Sequence, residues 1–130
     1  MGARNLTSKQ FSLERNVVRL FAKAIGAGAA NPTGVKGKGI SAITRTGTGL
    51  YTIALQDWWP ALLMASFVVI DPTSTDDWEV SIVSETVATA STKAVNIAVF
   101  KSGVAADLST DETLKLELVL SNTKSLPQGW

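Results

Sequence analysis

Residues 45–63 read RTGTGLYTIALQDWWPALL, and this stretch decides the fold class. Tyr51, Ile53 and Leu55 fall at every second position, with Thr52, Ala54 and Gln56 between them. A period of two places the two sets on opposite sides of a pleated strand, so the segment reads as half-buried β. Gly47 and Gly49 stand just before it, and glycine's tolerance of positive φ suits a tight reversal out of an earlier strand. Asp57, Trp58, Trp59 and Pro60 follow. Pro60 has no N–H to give a ladder and disfavours the α region at Trp59, so the chain turns there. Two large aromatic side chains then need cover. Tyr51, Trp58, Trp59 and Pro60 are therefore expected in the core or at an oligomer interface, with Trp59 largely buried.

The same alternation recurs on both sides of this stretch. Upstream, 14–25 reads as a strand with Val18, Leu20, Ala22 and Ala24 on one face. Val17, Arg19, Phe21, Lys23 and Ile25 form the other. A helix competes here, because Val17, Leu20, Phe21, Ala24 and Ile25 also fit a period of 3.6. The β-branched residues and the following GAGAANPTGVKGKG favour the strand. Residues 26–39, with five glycines and Pro32, read as a long loop, and 40–46 as a short strand paired with 50–56. Downstream, the dense apolar run 62–71 reads as a buried strand closed by Pro72. Further strands are expected at 78–87, at 94–101 and at 114–120, where Leu114, Leu116, Leu118 and Leu120 alternate with Lys115, Glu117 and Val119. Residues 103–112 read as a polar connection. About seven strands, with turn signals roughly every 8–12 residues, predict an all-β domain: an antiparallel β-sandwich or small β-barrel. The expected organisation is an extended N-terminal arm over 1–13, a β domain over 14–121 and a C-terminal tail over 122–130.

The 130 residues suit one domain, and a hydrophobic fraction of 45% suffices for a core. There is no Cys and no His, which excludes disulfides, thiolate metal sites and a Ser–His triad. No apolar run reaches the ~18 residues that a membrane helix needs, and MGARNLTSKQ lacks the apolar core of a secretion signal. The net charge of +1 conceals an asymmetry. Residues 1–45 carry eight basic groups and one acid, whereas 46–130 carry four basic groups and ten acids. Either the basic end reaches for an acidic partner, or it pairs with the acidic body of the same or a neighbouring chain. Against the alternative reading of a loose polar terminus, Arg4, Lys9 and Arg15 beside the isolated apolar groups Leu6 and Phe11 suit a partner-contacting arm. It is expected to order only on its partner, because each ordered residue costs roughly 1–2 kcal/mol of backbone entropy.

Motifs that would carry chemistry are weak. GVKGKGIS lacks the Ser or Thr that follows the lysine of a phosphate loop. Asp76, Asp77 and Glu79 form one acidic group and Asp107, Asp111 and Glu112 another, but DDWE and DLSTDE lack the glycine of a calcium loop. Acidic surface turns are the simpler reading, and no enzyme activity, cofactor or metal is expected. Trp58, Trp59, Trp78 and Trp130 admit a carbohydrate- or nucleic-acid-binding module, provided aromatics lie on an open sheet face among basic residues. Trp58 and Trp59 adjoin Asp57 and Pro60, and Trp78 is flanked by acids, so packing is the stronger reading.

The Gly-rich turn, YTIAL, an acid, aromatics and PALL within RTGTGLYTIALQDWWPALL resemble a family of small tailed-phage head proteins, the capsid decoration or cement proteins. The polar start ARNLTSKQFSLERNVVRLFAK is similar to how such proteins begin, so the resemblance covers most of 3–63. It implies a β-rich, usually trimeric knob on the outer capsid surface, present in the host cytoplasm during assembly. Its partners would be the major capsid protein and its own copies, with no membrane and no nucleic acid, and it would stabilise the shell without catalysis.

Overall fold

The computed structural model describes residues 17–123. They form two antiparallel sheets packed as a β-sandwich, with no helix among the described residues. Nine strands run in chain order: β1 (Val17–Ile25), β2 (Thr33–Lys36), β3 (Ile40–Gly47), β4 (Leu50–Leu55), β5 (Ala61–Ile70), β6 (Trp78–Glu85), β7 (Ala94–Lys101), β8 (Val104–Ala105) and β9 (Thr113–Ser121). One sheet has the order β2-β1-β9-β5; the other has the order β3-β4-β7-β6, with β8 paired to the end of β7.

The alternation seen in the sequence builds the core directly. Leu20, Ala22 and Ala24 of β1 and Leu114, Leu116, Leu118 and Leu120 of β9 line the inside of the first sheet. Tyr51, Ile53 and Leu55 of β4 and Val95, Ile97 and Val99 of β7 meet them from the second, forming one apolar cluster. Strands β9, β4 and β7 each have a neighbour on both sides, which is why their inward residues are the most completely covered. At ~25 cal/mol per Å² of apolar surface, these rows supply the main drive to fold.

The stretch 45–63 carries the chain from one sheet to the other. Thr48 and Gly49 turn β3 into β4, and Gly49 sits at φ 68°. A Cβ there would come within 2.6 Å of the Val99 carbonyl, so both the conformation and the space require glycine. Beyond β4, the corner at 57–60 crosses to β5, fixed by the Trp59 N–H donating to the Val87 carbonyl at 2.8 Å.

Three expectations need correction. The 26–39 segment is not all loop: 33–36 pairs with β1 as β2, because the open side of β1 offers a ladder that the Gly-rich composition did not advertise. The polar connection 103–112 likewise begins with β8, which closes a hairpin on β7 through Ser102 and Gly103, both at positive φ. The apolar run 62–71 is not a buried strand. It is β5, at the edge of its sheet, and its residues alternate between half-covered and exposed. The proposed arm, 1–13, lies outside the described residues, as do 14–16 of the first strand and 124–130 of the tail.

Candidate partner-binding face

The two sheets present very different outer surfaces. On the β3-β4-β7-β6 sheet, the Thr52 hydroxyl donates to Asn96 Oδ1 at 2.7 Å. Asn96 Nδ2 in turn donates to Ser84 Oγ at 3.0 Å. This polar chain crosses β4, β7 and β6 and satisfies itself.

On the β2-β1-β9-β5 sheet, the strand register sets residues side by side that are far apart in sequence. Lys36 lies opposite Lys23, and Lys23 lies opposite Lys115, so three lysines form one row across β2, β1 and β9. Strands are ~4.8 Å apart in that direction, and like charges directly opposed are destabilising. None of the three has an ion pair among the described residues, whose pairs are Arg19–Glu117, Arg45–Asp107 and Lys101–Asp76. Val68 of β5 continues the row beside Lys115. The next rows hold Phe21, Glu117 and Ser66, then Arg19, Val119 and Met64. Phe21 is 60% exposed, Met64 66% and Val68 57%, and Ile25 and Ile70 are also open to solvent. Arg19 reaches Glu117 diagonally at 3.4 Å, leaving the lysine row as the uncompensated charge. Exposed apolar groups beside lysines that have no ion pair among the described residues make this sheet face the candidate partner-binding surface.

The other residues singled out in the sequence have structural places. Tyr51 is buried, and its hydroxyl accepts the Leu108 N–H at 2.9 Å; burial holds its phenol above the ordinary pKa. Trp59 is partly buried against the core, and its Nε1 is buried without a hydrogen-bond partner among the described residues. Pro60 is half-covered beside it, whereas Trp58 is 48% exposed at the same corner. Trp78 packs on the core, donates through Nε1 to Asp71 at 3.0 Å and carries Lys101 Nζ over its ring at 5.5 Å. Arg4, Leu6, Lys9, Phe11 and Arg15 lie outside the described residues.

Asp76, Asp107 and Glu112 of the two acidic groups are tied up locally. Arg45 grips Asp107 with two bonds, Nε to Oδ1 at 2.8 Å and Nη2 to Oδ2 at 3.0 Å, and the Gly49 N–H donates to the same carboxylate at 2.9 Å. The Arg45 hydrogen bond is the main reason the Asp107 carboxyl is held below its usual pKa. This fork pins the β3–β4 turn to the segment before β9. Asp76 pairs with Lys101 at 3.0 Å and accepts from the Ser74 hydroxyl, and buried Glu112 accepts from the Ser109 hydroxyl. No group of three or more acids among the described residues is arranged to hold a metal ion.

The basic–apolar face was not legible in the sequence, because Lys23, Lys36 and Lys115 meet only through strand pairing. The one available signal was the polar–apolar mixture on the second face of 14–25. Comparison with known protein families, with characterised proteins and with solved structures returns no match.

Proposed function

We propose that this chain is a structural virion protein, a decoration or cement protein that seats on the outer surface of a phage head where capsid subunits meet and stabilises the shell. The observation that carries the reading is the outer face of the β2-β1-β9-β5 sheet, where Phe21, Met64, Val68 and the row Lys36, Lys23, Lys115 stand open together. The apolar groups supply the affinity and the lysines select an acidic shell surface. The local ties of Asp76, Asp107 and Glu112 give the carboxylates structural work and support a non-catalytic role. Electron microscopy of the source particle tests this directly. Ordered density for the chain on the capsid exterior, with this sheet inward, is expected; a particle lacking the protein would overturn the reading.

A second reading has one observation in its favour. Phe21 lies on an open sheet face with Arg19, Lys23 and Lys115 around it, an arrangement that stacks bases in single-strand binders. Trp58, the most exposed described tryptophan, offers a comparable platform for a sugar. Titration with single-stranded oligonucleotides or oligosaccharides, followed by tryptophan fluorescence, separates these from the first reading. Saturable micromolar binding of either would replace it.

A further inference from the structure

Each sheet of the sandwich has two edges, and the four edge strands differ in how they are guarded. An edge strand exposes a row of unpaired N–H and C=O groups, and proteins blunt such rows with charge, short length or bulges. Strand β2 is four residues long and ends on Lys36. Strand β3 carries Arg45 and two register shifts. Strand β6 carries Glu79 and Glu85 and a shift between Ile82 and Ser84. Strand β5 is ten residues long, ALLMASFVVI, with no charged residue and no proline. Its single shift falls between Leu62 and Met64, so 64–70 runs on without interruption.

The flank of the sandwich beside β5 is also incompletely closed. Leu62, Ala65, Phe67 and Val69 point inward from β5, and Trp78 and Val80 from β6, yet all six are only partly buried against the core. The corresponding residues on β9, β4 and β7 are fully covered. Apolar side chains with an outer rim still wet lie next to an uncharged ladder whose outer backbone groups have no strand partner among the described residues, the kind of edge that takes another strand.

We infer that β5 is a self-association edge, and that two copies pair their β5 strands antiparallel about a twofold axis at Phe67. The charge pattern selects the occupant. A strand without charge sets no like charges opposite one another when it meets its own copy, whereas a charged edge repels its copy and suits a partner of opposite sign. The residues 1–16 and 124–130 carry four basic groups and one acid, so charge gives them no preference for this strand. A centre at Phe67 keeps the pairing within 64–70 and conserves the faces. Met64 faces Ile70 of the partner subunit and Ser66 faces Val68 of the partner subunit on the outside, while Ala65 faces Val69 of the partner subunit within. Ser66 and Ala65 meet the larger Val68 and Val69, Met64 meets Ile70 as an apolar pair, Phe67 covers its own equivalent at the axis, and the two four-stranded sheets become one continuous sheet.

The test uses the full chain alone, without particles, so it stands or fails independently of the capsid reading. Sedimentation velocity across the micromolar range should show a monomer–dimer equilibrium. Ser66→Lys and Val68→Glu each place a charge at an exposed position of the paired edge. Within one subunit these charges lie beside Glu117 and Lys115 respectively, so the fold is spared, and unchanged melting temperatures check this. Each variant alone should raise the dimer dissociation constant at least about tenfold. An equimolar mixture should restore dimers to within about threefold of wild type, because the two charges then face each other across the axis. A strictly monomeric wild type, a trimer indifferent to both substitutions, or a mixture that fails to restore association would each overturn the inference. So would a monomeric full chain that dimerises once residues 1–16 are removed, since the occupant of β5 would then be the chain's own arm.

Discussion

The outer face of the β3-β4-β7-β6 sheet and that of the β2-β1-β9-β5 sheet cover the same core in opposite ways. On the first, Thr52, Asn96 and Ser84 consume one another's hydrogen-bonding capacity across three strands. On the second, Lys36, Lys23 and Lys115 repel along a row while Phe21, Met64 and Val68 stand in water. The first surface leaves Leu50 exposed beside this network, but its polar groups are paired when the chain folds. The second keeps opposed like charges and exposed apolar groups in the folded chain. Under the proposed function the contrast separates residues that serve stability from residues that serve association, and it can be attacked from either side.

The largest effect should come from stripping the open face. Phe21→Ser combined with Met64→Ser should weaken binding to the source particle by more than about tenfold, since truncating a central apolar anchor commonly costs over 1 kcal/mol. The melting temperature should hardly move, because both side chains are already exposed in the free protein. Retained binding in a co-sedimentation assay would show that this sheet does not dock.

Next in size is an effect on the frame beneath both faces. Asp107 has its pKa lowered, chiefly by the Arg45 hydrogen bond. A carboxyl whose folded pKa lies below its unfolded value contributes stability that is fully present above the unfolded pKa, near 3.9, and lost as pH falls through the folded pKa. Asp107→Asn should therefore melt several degrees below wild type at neutral pH. The gap should stay constant down to about pH 5 and narrow below about pH 4. A gap independent of pH would mean that the charge of Asp107 is irrelevant to the clamp.

A smaller loss is expected on the first surface. Asn96→Ala leaves the Thr52 hydroxyl without its acceptor and should cost about 1 kcal/mol by urea unfolding. Particle binding should be unaffected, so a binding defect here would blur the division between the two faces.

The smallest effect has the opposite sign. Lys23 stands between Lys36 and Lys115, so Lys23→Gln should stabilise the free protein by about 0.2–1 kcal/mol. The same change should weaken particle binding and flatten its dependence on salt. Loss of stability would show that the lysine row is not strained.

The fold was legible where one strand's own sequence contains the whole signal. Tyr51, Ile53 and Leu55 on β4 and the four leucines of β9 announce a buried face by alternation alone, and those faces are the core. β5 was misread for a physical reason: a continuous apolar run tells how much surface wants cover, not whether the protein itself supplies it. Strand β2 was hidden because Gly34 and Lys36 offset the strand preference of Thr33 and Val35, and four residues become a strand here by pairing with β1. The candidate face was harder still. Each of its lysines looks like ordinary solvated charge, and only the pairings Lys36 with Lys23 and Lys23 with Lys115 turn them into a row.

The position of β9 has a consequence for how the chain reaches this state. Strands β3 and β4 form a local hairpin, and β6 and β7 are also neighbours in the chain, so that sheet can begin as two local pairs that join later through β4 and β7. In the other sheet β1 has only the four-residue β2 as a partner close in the chain, and β5 has none. Both wait for β9, the last described strand, which inserts between them from Val17 opposite Ser121 to Ile70 opposite Thr113. Distant closures are slow because the loop entropy is spent before the contacts form. Pulse-labelled hydrogen exchange should find amides of β3 and β4 protected before those of β1 and β5, and simultaneous protection would refute that order. Until β9 arrives, the uncharged β5 has both sides bare, so in a growing chain the interval between making residue 70 and residue 121 is its period of greatest exposure to aggregation.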